Sequence, residues 1–403
     1  MKPWQIVAIM CAAHVFSIAG LAAFPALLPT LVPLWELSNT QAGWISGIFF
    51  AGYVAAVPLL VTLTDRVDSR RIYLVGLLIS TVGLLGFAFA ASGFWSAMIW
   101  QAVQGAGIGG TYMTGLRVMT DRLPGDAPSR AIAFYTGAFS VGTALSFVLS
   151  GEIASRLGWE FAFGLGALGP LIAAAIVLLL LSAQRPDSDA RPDTHLLDFR
   201  PVFRNRQAMA FTLGYTGHTW ELFALRAWIV AFLVFAGAKE AGSGLLSATL
   251  IAGAANLLAV PASIIGNEFA ERYGRRRTIL TVMVMATAAA LATGFSATVS
   301  LTAAALFVII YGGFVMGDSA SLTAGAAAAA APGYRGATLA VHSILGFSGA
   351  LVGPLVVGLA LDAGGGQANP LAWVFAFAAM GFGSAVGAIA LWRLGRTGMR
   401  RGG

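Results

Sequence analysis

The chain has 403 residues, of which 58% are hydrophobic and only 10% charged. Soluble domains carry about a quarter of their residues charged, so two or three ordinary soluble domains are excluded. The net charge of +7 would suit a nucleic-acid partner if it formed one basic face. Instead nearly all Lys and Arg fall in short runs between apolar blocks, so no nucleic acid is expected. The blocks are each long enough to cross a hydrocarbon core roughly 30 Å thick, which takes about 20 apolar residues.

In chain order the apolar periodicity predicts twelve helices at 5–34, 41–64, 72–92, 94–118, 129–155, 160–182, 207–236, 242–265, 278–297, 301–325, 335–361 and 370–396. Helices satisfy their backbone polar groups within each segment, and blocks such as Leu171–Leu181 do not alternate as barrel strands would. The first stretch is too long for the apolar part of a signal peptide, so no cleavable signal is expected. Cys11, inside it, is the single cysteine, and no intrachain disulfide is possible. Helix 1 also carries His14. The first cytoplasmic-type loop reads Asp65-Arg66-Val67-Asp68-Ser69-Arg70-Arg71. Helix 4 carries Gln101, Gln104, Tyr112 and Arg117, with Asp121 four residues beyond Arg117. Gly105-x-Gly107-x-x-Gly110 matches a dinucleotide fingerprint, but no strand precedes it. Small residues inside a spanning helix instead let helices approach closely.

The longest loop, Ser182 to Arg206, mixes Pro, Asp and Arg and reads as a solvated linker. It divides the chain into an N-terminal bundle (1–182), a linker (183–206) and a C-terminal bundle (207–403). Helix 7 holds the densest polar cluster: Tyr215, His218, Trp220, Glu221, Arg226 and Trp228. At 100° per residue His218 and Glu221 share one stripe, with Tyr215 and Arg226 on its neighbour. His218 lies about 11 residues into the helix, roughly 16 Å deep. A charge at that depth costs several kcal/mol, so each needs a reason. Helix 10 adds Tyr311 and Asp318, and the loop before helix 9 reads Glu271-Arg272-Tyr273-Gly274-Arg275-Arg276.

Loop charges set the topology. Arg66, Arg70, Arg71, Arg122, Arg130, the 185–206 arginines, Arg272, Arg275 to Arg277 and Arg335 lie on one side, with both termini. The other side carries almost nothing: Glu36, Arg156 and Lys239 with Glu240. Both termini are therefore expected in the cytoplasm, the protein being a multi-pass protein of the cell (inner) membrane.

The halves repeat. Trp159-Glu160-Phe161-Ala162-Phe163 opens helix 6 and Trp373-Val374-Phe375-Ala376-Phe377 opens helix 12; Arg130 and Arg335 begin helices 5 and 11. Repeated halves point to a duplicated transporter fold with substrate at the repeat interface. The paired D/E-R-x-(G)-R-R loops, the long central loop and the twelve spans resemble the major facilitator superfamily over essentially the whole chain. The copy departs from the family's patterns. Val61 and Asp68 stand at the two glycine positions of the first loop motif. Gln101-Ala102-Val103-Gln104-Gly105 lacks the usual helix 4 arginine. Ala138-x-x-x-Gly142-Thr143 replaces the antiporter signature of helix 5, whereas Gly349-x-x-x-Gly353-Pro354 in helix 11 is intact.

The resemblance implies an all-α membrane protein of two pseudo-symmetric six-helix bundles, with helices 1, 4, 7 and 10 lining a central cavity. It places His14, Gln101, Gln104, Tyr112, Arg117, Tyr215, His218, Trp220, Arg226 and Tyr311 toward a solute. Asp65, Arg66, Arg70, Asp121, Glu271 and Arg272 become gate residues. Glu221, His218 and Asp318 are the proton-coupling candidates, and Arg226 and Arg117 argue for an anion. The expected activity is proton-coupled transport of a small anionic organic solute by alternating access. The partners are solute, protons and lipid, the chain acts as a monomer, and no cofactor is called for. No nucleophile–base pair of recognisable spacing argues for an enzyme. Efflux of drugs or metabolites is the alternative, favoured by Trp220, Trp228, Phe211 and Tyr215. Metal transport through Met10-Cys11-x-x-His14 and a non-transporting sensor rank lower.

Overall fold

The structure, a computed structural model, describes residues 1–64, 66–123, 129–184, 199–238, 240 and 244–395. Every regular element among them is a helix. The first half holds α1 (Pro3–Ser17), α2 (Ala23–Leu34), α3 (Asn39–Leu63), α4 (Ser69–Ala90), α5 (Phe94–Gly109), α6 (Tyr112–Thr120), α7 (Ser129–Leu157), α8 (Trp159–Gly166) and α9 (Leu168–Leu180). After a short α10 (Arg200–Arg204) come α11 (Arg206–Gly237), α12 (Leu245–Tyr273), α13 (Arg275–Ser296), α14 (Leu301–Gly317), α15 (Ser319–Ala328), α16 (Arg335–Ala363) and α17 (Pro370–Gly395). Among the described residues, ten helical stretches are long and apolar enough to cross a membrane, with α1 and α2 as shorter apolar helices.

Four helices predicted as continuous are interrupted: 5–34 at residues 18–22, 94–118 at Gly110-Thr111, 160–182 at Ala167 and 301–325 at Asp318. Hydropathy does not register such breaks, because glycine keeps a stretch apolar while weakening the helix by about 1 kcal/mol. Gly20, Gly109, Gly110, Gly166 and Gly317 stand at or beside all four of them. Carbonyls freed inside a bilayer need partners, and side chains supply them. The Gln104 amide donates to the Gly20 carbonyl at 3.0 Å. The Tyr135 hydroxyl lies 3.2 Å from both the Thr111 and Tyr112 carbonyls.

The chain forms two compact units. Unit 1 comprises Met1–Leu37, Ile48–Arg191 and Gly244–Leu257; unit 2 comprises Ser38–Gly47, Pro192–Ser243 and Leu258–Gly403. In unit 1, α1, α4, α6, α7 and α9 enclose Met10, Tyr73, Leu77, Val118, Met119, Tyr135 and Val177. The glycine triplet of α5 is a packing device. A Cβ at Gly105 would collide with the Phe49 carbonyl of α3, and one at Gly107 or Gly110 with Ser80 or Gly76 of α4. In unit 2, α11 is the axle, packed against α14, α15, α16 and α17. It is buried along most of its length and has no broad solvent face, so its polar side chains are buried with the apolar ones. Gly349 and Gly353 bring α16 against its Thr216 and Trp220 carbonyls.

The internal repeat is visible in contacts. Arg70, second residue of α4, donates from Nη2 to the Leu178 carbonyl at 2.9 Å; Arg276, second residue of α13, donates to the Trp392 carbonyl. Each arginine satisfies an orphan carbonyl in the last turns of the last helix of its half. Phe163 stacks on Phe87 at 3.9 Å between ring centroids, and Phe377 meets Phe232 edge-on at 4.6 Å. The repeated Trp-x-Phe-Ala-Phe segments therefore each build an aromatic cluster, the first against α4 and the second against α11.

Candidate functional site

Burial of ionisable side chains singles out one seam in unit 2. Along α11, Thr212, Tyr215, His218 and Glu221 recur every three residues, about 4.5 Å of rise per step. Each meets a group on another helix. The Tyr311 hydroxyl of α14 donates to Glu221 Oε1 at 2.9 Å, and both residues are at most 1% exposed. His218 Nδ1 lies 2.8 Å from Asp318 Oδ1, again with both side chains at most 2% exposed. This is ion-pair contact whose alignment falls short of a formed hydrogen bond, and His218 Nε2 has no partner among the described residues. Asp318 occupies the break between α14 and α15, where the interrupted backbone turns its carboxylate toward α11. Tyr215 stacks on His218 (5.5 Å, 20°) and on His342 of α16 (4.1 Å, 18°). His342 in turn bridges Thr212 (Nδ1, 3.5 Å) and Thr323 of α15 (Nε2, 3.3 Å).

Unit 1 holds a matching His–Tyr stack without the acids. His14 of α1 stacks on Tyr135 of α7 at 4.3 Å and 15°, with Tyr112 at 5.5 Å and Phe139 at 6.0 Å. In unit 2 the tyrosine lies on the first long helix and the histidine on the fifth; in unit 1 the two exchange places. His14 is fully buried, and its Nε2 has no partner among the described residues. Gln101 and Gln104 are also buried, Gln104 holding the break after α1.

Other residues singled out by sequence lie elsewhere. Arg226 is buried five residues beyond Glu221 on α11, its guanidinium 5.3 Å from the centre of the Phe223 ring. Trp220 donates its indole N–H to the Ala379 carbonyl of α17, and Trp228 donates to the Pro354 carbonyl of α16. Both tryptophans therefore pin α11 to its neighbours. Arg117 Nε lies 3.8 Å from Asp121, with both side chains more than a third exposed, and Asp121 also accepts from the Ser69 hydroxyl. Arg66 is exposed, and Asp65 lies outside the described residues. Arg70 donates to α9 carbonyls rather than to an acid. Glu271 accepts from Asn267, and Arg272 lies over the Tyr273 ring.

The better-built charge cluster of unit 1 is one that sequence reasoning did not select. Asp68, the N-cap of α4, accepts from the Arg70 and Gln184 backbone N–H groups, each at 3.0 Å. It also lies 3.7 Å from the Arg122 guanidinium, which donates to the Ser182 carbonyl at 2.7 Å. Desolvation holds Arg122 below the ordinary arginine range, against the opposing pull of Asp68. The signal available was an Asp immediately before a helix, the usual N-cap position. His342, like His14, reads from sequence as more often a helix-packing histidine than a functional one, and it is not placed in the site.

These features meet known proteins at several levels. Protein spinster homolog 3 of Danio rerio is 25% identical over 240 residues, covering 58% of this chain and 48% of that protein. The niacin transporter NiaP of Acinetobacter baylyi is 25% identical over 158 residues, or 39% of this chain and 35% of the relative. The chain spans about half the length of the first curated relatives it matches. Its backbone superposes on a bacterial homolog of the human lysosomal transporter Spinster, in an inward-facing and occupied conformation. The TM-score is 0.79 with 15% identity, and the match covers 98% of each chain, a likeness of fold. The sequence profile described as Major Facilitator Superfamily matches residues 10–320. The chain is thus a multi-pass membrane transport protein rather than an enzyme, and it belongs to the Major Facilitator Superfamily.

Proposed function

We propose that the protein is a proton-coupled secondary transporter that carries a small anionic organic solute across the inner membrane by alternating access. The observation that carries the reading is the pair of buried contacts in unit 2, Tyr311 with Glu221 and His218 with Asp318. Ionisable groups in a membrane interior are costly and mark ion or proton pathways. Here two acids and a histidine lie within three residues of one another on α11 or against it, the arrangement a coupling site requires. Unit 1 offers buried His14 without an acid, so coupling is assigned to unit 2. Interrupted helices at residues 18–22, 110–111 and 318 add support, since transporters place binding groups at such breaks.

Arg226 and Arg117 are the proposed anchors of the anion. The niacin carried by the related transporter is itself a small organic acid. Tyr215, Tyr112, Gln101, Gln104, His14, His218, Trp220 and Tyr311 complete the proposed binding set. Arg66, Arg70, Asp121, Glu271 and Arg272 serve as gates. We place twelve spans in two bundles, 1–182 and 207–403, joined by a cytoplasmic linker at 183–206, with both termini cytoplasmic and the chain monomeric. Efflux of amphipathic cargo is the second reading. It rests on aromatics along helix 7, and the complete burial of Trp228, whose indole donates to the Pro354 carbonyl, favours the first.

Reconstitution into proteoliposomes under an imposed pH gradient tests the proposal. A panel of organic acids that includes niacin is offered on the outside. An inward proton gradient is expected to drive accumulation of at least one acid. Glu221→Gln should remove the gradient's effect and leave exchange of solute for solute. Solute movement against the proton gradient in the opposite direction would establish efflux. Accumulation that is indifferent to pH in both wild type and Glu221→Gln would end the proton-coupled reading.

A further inference from the structure

The two halves repeat their arginine loops but not the way the charge is balanced. Residues 65–71 align with 271–277, so Asp68 corresponds to Gly274, Ser69 to Arg275, Arg70 to Arg276 and Arg71 to Arg277. In unit 1 the positive charge is answered within the protein. Asp68 caps α4 and lies 3.7 Å from Arg122, while Asp121 lies 3.8 Å from Arg117 and accepts from Ser69. In unit 2 both answers are missing. Gly274, at φ 96°, precedes α13 with no side-chain cap, and Arg275 replaces the serine. The half-helix α15, which stands where α6 stands in the first half, has no ionisable residue.

Five arginines therefore gather without an internal counter-charge: Arg272 in the last turn of α12, Arg275, Arg276 and Arg277 at the start of α13, and Arg393 in the last turn of α17. Among the described residues none of them is ion-paired to a carboxylate. The acids of the neighbouring turns are Glu268 and Glu271, and Glu271 accepts from Asn267 at 3.3 Å. Arg276 turns inward to the Trp392 carbonyl, which ties the start of α13 to the end of α17. Arg275 and Arg277 flank it, about 100° to either side on the helix, and make no hydrogen bond within the protein among the described residues. Positive side chains on the positive end of a helix dipole repel it and one another, and a bound anion offsets that repulsion.

The surroundings say what kind of anion. Phe269 and Tyr273 stack at 5.8 Å and are exposed, as is Trp392, and the Arg272 guanidinium lies over the Tyr273 ring. Exposed aromatics beside arginines at the ends of spanning helices mark the headgroup level of a bilayer. Further into the same helices, Ile265 of α12 and Ile389 of α17 are exposed apolar residues that acyl chains would cover. A ligand that fits both zones is anionic at one end and apolar at the other. Guanidinium meets phosphate through paired N–H donors.

We propose that the start of α13, with the adjoining ends of α12 and α17, is a binding surface for anionic phospholipid headgroups, Arg275 and Arg277 taking their phosphates on the two flanks of Arg276. A zwitterionic lipid brings its own ammonium and leaves the excess charge of the cluster unanswered. The surface lies within unit 2, and the proposal is independent of which solute is carried and of whether protons drive it.

Native mass spectrometry tests it by counting lipids bound to full-length protein in detergent. The protein is titrated with dioleoylphosphatidylglycerol or with dioleoylphosphatidylcholine. Wild type is expected to bind phosphatidylglycerol about tenfold more tightly than phosphatidylcholine. Arg275→Gln/Arg277→Gln should bring the first lipid down to the level of the second, with no fall in the melting temperature of the lipid-free protein. Matched single variants locate the effect. Arg277→Gln should weaken phosphatidylglycerol binding about threefold or more, whereas Arg71→Gln, its counterpart in the first half, should leave it unchanged. Both of these residues are exposed, so this pair reads the surface even where Arg275→Gln disturbs folding. Glycerol phosphate, which lacks acyl chains, is the third arm. If it displaces bound phosphatidylglycerol at equal concentration, the surface takes a soluble phosphate and the lipid assignment is overturned. Equal binding of the two lipids by wild type, a preference that survives in the double variant, or equal losses in Arg277→Gln and Arg71→Gln would each overturn it as well.

Discussion

Asp318 serves two ends at one position. It interrupts the helix of residues 301–328, and it brings a carboxylate to His218 in a place where neither group meets water. A buried pair of this kind contributes little net stability, because desolvation offsets the attraction, but removing one partner strands the other at a cost of about 3–5 kcal/mol. Single variants Asp318→Asn and His218→Gln should therefore each lower the melting temperature markedly. The double variant should be less destabilised than the sum of the two, since partners in contact are not additive. Additive losses in a thermal-shift double-mutant cycle would show that the 2.8 Å contact carries no coupling. Ionisable residues 218, 221 and 318 could be picked from sequence because charge within an apolar helix is conspicuous. The pairings among them and with Tyr311 could not, since Tyr311 is 90 residues from Glu221 and Asp318 is 100 from His218. Asp68 and Arg122 were hidden for the opposite reason: in a loop full of charge, a buried pair resembles its solvated neighbours.

Among the elements, the start of α3 is held in unit 2 by a single acid. Asp362, in the last turn of α16, accepts from the Asn39 and Thr40 backbone N–H groups at 3.1 and 2.8 Å, from the Asn39 side chain at 2.7 Å and from the Thr40 hydroxyl at 2.6 Å. A carboxylate there meets the unsatisfied donors and the positive end of the helix dipole. Asp362→Asn replaces one acceptor oxygen with a donor that faces other donors. The cost is expected near 1 kcal/mol at this exposed site. Deuterium exchange across residues 38–47 should accelerate, while exchange in α11 stays unchanged. Unaltered exchange in 38–47 would mean that packing of Gly43 and Gly47 against α16 holds the segment without the acid. The existence and order of the helices were legible from hydropathy. Their breaks and this exchange of short segments between units were not, because both depend on side chains from distant helices that satisfy the exposed backbone.

For the whole molecule, the sequence establishes a multi-pass helical protein through apolar length alone, and family membership supports it. The orientation rests on where the arginines lie. Exposed positions are available on both proposed faces: Lys2 and Ser182 on the basic side, Ser92 and Thr298 on the other. Because Cys11 is the only cysteine, Cys11→Ala yields a background with no thiol after one substitution. Single cysteines at 2, 182, 92 and 298 are then exposed to a membrane-impermeant maleimide, in intact cells and in inside-out vesicles. The charge bias predicts that 92 and 298 label in cells, and that 2 and 182 label only in vesicles. Labelling of all four positions from one side would rule out the three spans expected between positions 2 and 92 and between 182 and 298, and with them the assignment of either face.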